Sequence, residues 1–145
     1  MREALVVGGA NGIGLTIATL LARDAEFSKI YIVDKARVAE EFMQDKFECY
    51  EFDLRSDDFS LFDRFTKVDT VMITAGFGRL AHFADIDERH IVDSFGVNTT
   101  AVIRIVHHFY SRLLATEPFY LGVMGSIAGF MSSPLFAVCG ASKAA

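Results

Sequence analysis

Cysteine and proline are scarce in this chain, and basic residues do not cluster; each absence removes a class of protein. Cys49 and Cys139 lie far apart and share no metal-ligand spacing, so the sequence offers neither a disulfide framework nor a zinc site. Two lone thiols in 145 residues read as reduced, and the expected location is cytoplasmic. With 2 prolines and 11 glycines, a collagen-like repeat is excluded. Lys and Arg number 14 against 19 Asp and Glu, for a net charge of −5, so neither nucleic acid nor an anionic membrane is an expected partner. The longest apolar run, Phe119 to Met131, is broken by Gly122, Gly125, Ser126 and Gly129. It falls short of the roughly 20 residues that span a bilayer. The charged-then-apolar start, Met1 to Val7, imitates a signal peptide but stops at Gly8 and Gly9. His82, His90, His107 and His108 have no second ligand at metal-binding spacing; packing at a surface or interface is the expectation for them.

What is present is a hydrophobic fraction of 52%, enough for one globular core, and residues 1–145 are read as one domain. Strand-like and helix-like patterns alternate along it. Strands are expected at Ala4–Val7, Ile30–Val33, Phe47–Phe52, Thr70–Thr74 and Phe119–Met124. Helices are expected over Gly12–Arg23, from Ser56 through Phe59, Phe62 and Phe65, from a cap at Asp87 to Leu114, and from about Leu135. Apolar strands separated by helices imply an α/β fold, a doubly wound parallel sheet covered on both faces.

The first strand runs into Gly8-Gly9-Ala10-Asn11-Gly12-Ile13-Gly14. Glycine at the first position permits a sharp strand-to-helix turn, at the second a close backbone approach to a pyrophosphate, and at the third tight helix–strand packing. Free N–H groups at the helix start then face the anion. Asp34, 20 residues beyond Gly14 at the end of the second strand, is positioned to accept hydrogen bonds from ribose hydroxyls. Its carboxylate opposes a 2′-phosphate, which favours NAD over NADP, although Lys35 and Arg37 follow closely. Asp53, after the third strand, reads either as a contact to an adenine amino group or as a local cap for the Ser56 helix.

Together these residues resemble the short-chain dehydrogenase/reductase (SDR) family along the whole chain. Gly8-x-x-x-Gly12-x-Gly14 has the family's spacing, and Thr74-Ala75-Gly76 resembles the end of its Asn-Asn-Ala-Gly element, with Thr74 in place of the second Asn. Asn98 in Val97-Asn98-Thr99 matches its helix asparagine, Gly125-Ser126-Ile127-Ala128-Gly129 its serine segment, and Pro134 with Ala141-Ser142-Lys143-Ala144 the approach to its lysine. The resemblance implies a Rossmann-like sheet of order 3-2-1-4-5. It also implies cofactor contacts from Gly8, Asn11, Gly12, Ile13, Gly14, Asp34, Asp53, Ala75, Gly76 and Lys143. The implied activity is hydride transfer between NAD(H) and a small alcohol or carbonyl. Ser126 would hydrogen-bond the substrate oxygen, Lys143 hold the nicotinamide ribose, and Asn98 hold a water linking the lysine to solvent. The family pairs its long helix between subunits, so a homo-oligomer through residues 87–114 is implied as well.

One position departs from the family. Its catalytic tyrosine belongs four residues before the lysine, and Cys139 stands there. The thirteen-residue step from Ser126 agrees with the family's spacing, so the difference is a substitution within an aligned register. A thiol ends roughly 4 Å short of a tyrosine hydroxyl, whereas a proton donor must come within about 3 Å of its target. Tyr110 and Tyr120 have no reason to enter the site. The sequence therefore supports three readings: an oxidoreductase weakened or silenced at Cys139, a nucleotide-binding relative without catalysis, or a truncated inactive copy. The last arises because members of the family run to about 250 residues, and residue 145 falls just beyond the lysine, after the fifth strand and inside the next helix.

Overall fold

The first strand, β1 (Arg2–Val7), has no solvent-facing side over its second half: Ala4, Leu5, Val6 and Val7 are all fully buried. Successive side chains point to opposite faces of a strand, so Ala4 and Val6 enter one core and Leu5 and Val7 the other. Four more strands join β1 in the computed structural model, which describes residues 1–131 and 133–145. They are β2 (Phe27–Asp34), β3 (Phe47–Glu51), β4 (Val68–Ile73) and β5 (Tyr120–Val123). All pair in parallel, in the order β3-β2-β1-β4-β5. This is the α/β Rossmann-like sheet that the sequence implied. Val7 lies level with Val33 on one side and Ile73 on the other. The chain thus leaves β1, β2 and β4 at one edge, which brings Gly8, Asp34 and Thr74 side by side.

On the first face, α1 (Gly12–Arg23) lays Ala18 and Ala22 over Ala4, Val6, Ile30 and Ile32. Small residues on the helix let it sit close to the sheet. The second face is aromatic. Phe62 and Phe65 from the segment before β4, and Ile105 and Phe109 from α3 (Ala101–Leu113), cover Leu5, Val7, Val71 and Ile73. Phe62 meets Phe65 edge-on at 5.9 Å, and Phe109 packs on Phe119 at 5.7 Å.

Two expected helices take different forms. The segment after Ser56 makes only a short 3₁₀ turn, Ser60–Arg64. Short polar side chains occupy the backbone before it: Asp58 accepts from Ser60 N at 2.8 Å, and Ser56 Oγ accepts from Asp58 N at 3.2 Å. Such local bonds compete with an α-helix. Phe59, Phe62 and Phe65 recur every three residues, and that period suits the 3₁₀ form, in which such side chains eclipse. The long helix begins as expected, with Asp87 Oδ1 accepting from His90 N at 2.7 Å. It then divides into α2 (Glu88–Phe95), a wide π turn over Gly96–Thr100, and α3. The last helix, α4 (Ala137–Ala144), starts two residues after Leu135.

Candidate functional site

Parallel sheets of this order open a crevice beyond the carboxyl ends of the strands where the order reverses, here between β1 and β4. Gly8, Asn11, Gly12, Ile13 and Gly14 after β1, Asp34 ending β2, Asp53 after β3, and Ala75 and Gly76 after β4 all line one cleft of about 380 Å³.

Two close approaches shape the turn at its base. Gly8 has φ +86°, and a Cβ there would stand 2.5 Å from Ala75 N. A Cβ on Gly14 would stand 2.0 Å from Gly8 O and 2.5 Å from Thr74 Oγ1. Thr74 has a part in this: its hydroxyl donates to the Val7 and Gly8 carbonyls, at 3.0 and 3.1 Å, and so pins β4's exit to the turn. Gly12, at φ +55°, faces open space. Asp34 closes the turn from the other side, its Oδ2 accepting from Ala10 N at 2.9 Å and its Oδ1 from Ala36 N at 3.0 Å. A carboxylate has about four lone-pair sites, so two backbone bonds leave it able to accept hydroxyls from the cleft. Lys35 also lines the cleft, whereas Arg37 forms an ion pair with Glu51 on the surface.

The far wall is charged. Arg55 holds both carboxylate oxygens of Asp53, with Nη2 at 2.7 Å from Oδ2 and Nε at 3.0 Å from Oδ1. Its Nη1 reaches the buried Asp93 of α2 at 3.0 Å. The bonds from Arg55 lower the Asp53 pKa to about 2. Asp53 also accepts from Arg55 N at 2.9 Å. Its local role is therefore a turn around Arg55 and not the cap of an α-helix, since none follows.

Three of the four expected reaction-centre residues gather on the segment leaving β4, each at its own residue. A Cβ on Gly76 would stand 3.4 Å from Lys143 Nζ. Asn98 grips the Phe77 peptide from both sides, its Oδ1 accepting from Phe77 N at 2.8 Å and its Nδ2 donating to Phe77 O at 2.6 Å. A Cβ on Gly78 would stand 3.2 Å from Cys139 Sγ. Ser126 lies on the turn after β5, where its hydroxyl accepts from Ala128 N at 3.1 Å. That turn packs on α4: a Cβ on Gly140 would stand 2.8 Å from Ala128 O.

Arg55 and Ser142 are the residues that reading the sequence missed. The i, i+2 spacing of Asp53 and Arg55 is a visible sign of the first; the second has no local sign, because the partners outside its own helix lie 43 and 44 residues away. The histidines divide. His108 sits near Asp63 at 3.7 Å and against Phe109, but His90 is buried against Phe77 and not at the surface. Among the described residues no group of three His, Cys, Asp or Glu is placed to hold a metal, and no helix is long and apolar enough to cross a membrane.

A dinucleotide fits these features: a backbone cradle that side chains at Gly8 and Gly14 would fill, an open approach at Gly12, and a carboxylate beside it. Comparison with curated proteins finds no match by sequence. Among solved structures, a short chain dehydrogenase family protein from Francisella tularensis shares 20% identity at a TM-score of 0.83, over 99% of this chain and 59% of that one. The bulky-bulky ketone specific alcohol dehydrogenase from Comamonas testosteroni shares 22% at 0.85, over 99% and 62%. An alcohol dehydrogenase from the archaeon Thermococcus sibiricus, complexed with 5-hydroxy-NADP, shares 25% at 0.81, over 99% and 66%. The chain spans about three fifths of the first of these. The short chain dehydrogenase profile matches residues 2–145, and the chain belongs to that family.

Proposed function

We propose that the chain binds NAD(H) in the β1–β4 cleft and belongs to an oxidoreductase acting on a small alcohol or carbonyl. The observation that carries this reading is the convergence of the glycine turn, Asp34 and the β4 exit on one cleft. The N–H groups at the start of α1 face the pyrophosphate, Asp34 accepts the adenosine ribose hydroxyls, and Asp53 lies at the adenine end. NAD is preferred over NADP because Asp34 opposes a 2′-phosphate and Arg37 is engaged by Glu51, which leaves Lys35 as the nearby cation.

Bound there, the cofactor supplies or accepts a hydride. The chain's own part is to hold and to move a proton. Lys143, beside Gly76, holds the nicotinamide ribose; Ser126 holds the substrate oxygen; Asn98 fixes the backbone of Phe77, the residue after Gly76. Cys139 is the weak link, since its thiol stops roughly 4 Å short of where a tyrosine hydroxyl would donate. That position favours a second reading, a nucleotide-binding relative with little turnover. A second copy of the chain is the proposed cover for the exposed Val92 of α2, Ile103 of α3 and Leu114 just after it.

Titration with NADH and NADPH, followed by calorimetry, tests the first reading. NADH is expected to bind at least about tenfold more tightly, the factor that 1.4 kcal/mol produces. Equal or absent binding of the two would remove the assignment. Alcohol oxidation by the unaltered protein would remove the non-catalytic reading.

A further inference from the structure

We propose that Ser142 is a positioning residue, which sets the roll of α4 and so places the Lys143 ammonium at the cleft; this rests on the cofactor reading above. Ser142 is 1% exposed and sits in the last turn of α4. Its hydroxyl donates to Cys139 O, three residues back, at 3.0 Å, which turns its lone pairs outward from the helix. One of them accepts from Asn98 Nδ2 at 3.0 Å. The Ser142 carbonyl accepts from Thr99 Oγ1 at 2.7 Å. Two neighbouring residues of the π turn therefore hold one residue of α4, from its side chain and its backbone.

The anchor itself is rigid. With Phe77 N, Phe77 O and Ser142 Oγ all bonded, the Asn98 amide has an engaged oxygen and two engaged N–H groups. It cannot turn without breaking two strong contacts to the Phe77 peptide. A helix of eight residues has little stability of its own, so its orientation comes from such contacts. Lys143 follows Ser142 directly, and its Nζ lies beside Gly76, within 3.5 Å of Met124 O. A small roll of α4 would carry that ammonium away from the cleft, because it sits at the end of a long side chain.

A double-mutant cycle tests this. NADH affinity is measured for the unaltered protein, Ser142→Ala, Lys143→Ala and the double variant. Ser142→Ala is expected to weaken binding about tenfold when Lys143 is present and less than about twofold when it is absent. Equal weakening in both backgrounds would overturn the proposal, and so would unfolding of Ser142→Ala, either of which assigns the hydroxyl to general structure. A second readout needs no cofactor. In protein with ¹³C-labelled lysine, Ser142→Ala is expected to move the Lys143 side-chain resonance and leave those of the other four lysines in place. If NADH fails to bind the unaltered protein, the cofactor reading falls, and this resonance alone decides the role of Ser142: an unmoved signal overturns it.

Discussion

Asp34 and Ala10 are joined across 24 residues of sequence by one bond, the Ala10 N–H donating to the Asp34 carboxylate at 2.9 Å. The end of β2 is thereby tied to the glycine turn, and one side chain both shapes the cradle and faces its contents. Asp34→Asn is expected to lose the charge-assisted bond and the repulsion of a 2′-phosphate together. NADH affinity should fall by about tenfold, as a bond to a charged group implies, while NADPH affinity holds or rises. Paired titrations of the two cofactors would check this.

Gly14 makes a prediction about folding. A Cβ at this position would overlap Gly8 O at 2.0 Å, and both atoms belong to the backbone or its immediate branch, so neither yields easily. Gly14→Ala should cost about 3 kcal/mol or more, at the upper end of overpacking. Gly12→Ala meets open space and incurs only the left-handed backbone penalty of about 1–2 kcal/mol. Urea unfolding of the two variants should rank them in that order.

Much of this was legible because it is local. Gly8, Gly12 and Gly14 sit within one turn, Asp34 ends a β-branched strand, and an apolar strand buried on both faces shows in its composition. The sheet order came through the family resemblance. The form taken by the segment after Ser56 is not legible, because the spacing of Phe59, Phe62 and Phe65 suits an α-helical face as well as a 3₁₀ turn. The π turn was hidden because Asn98 and Thr99 find their partners in Phe77 and Ser142, which only the folded chain brings near. Burial of His90 against Phe77 was hidden for the same reason.

Asp53 titrates low because Arg55 holds it. Its folded pKa of about 2 lies below the unfolded value of about 3.9. The stability it contributes is thus fully present above pH 4 and is lost as pH falls through 2. In Arg55→Ala the Asp53 carboxyl should titrate close to its ordinary value, and that loss below pH 4 should flatten. Carboxyl ¹³C NMR against pH would give both midpoints. An Asp53 midpoint unmoved by the substitution would show that Arg55 is not the cause.

Cys139→Tyr should gain alcohol oxidation. The thiol now lies against Gly78, an exposed residue that carries no side chain of its own to meet a longer one. Restoring a proton donor is expected to raise the rate by about a hundredfold, the lower range for general acid–base catalysis. NADH formation with a panel of small alcohols, compared with the unaltered protein, measures it. No gain in a variant that still binds NADH would show that Ser126, Lys143 and Asn98 do not form a working centre.

On the proposed reading, one cleft, floored by the glycine turn and walled by the β4 exit, takes the dinucleotide. Amide NMR during an NADH titration tests it most directly, because it reports place as well as affinity. The amides of Asn11, Gly12, Ile13, Ala75 and Gly76 are expected to shift together and to saturate at one concentration. Saturable binding whose shifts fall elsewhere, or no shifts at millimolar NADH, would contradict it.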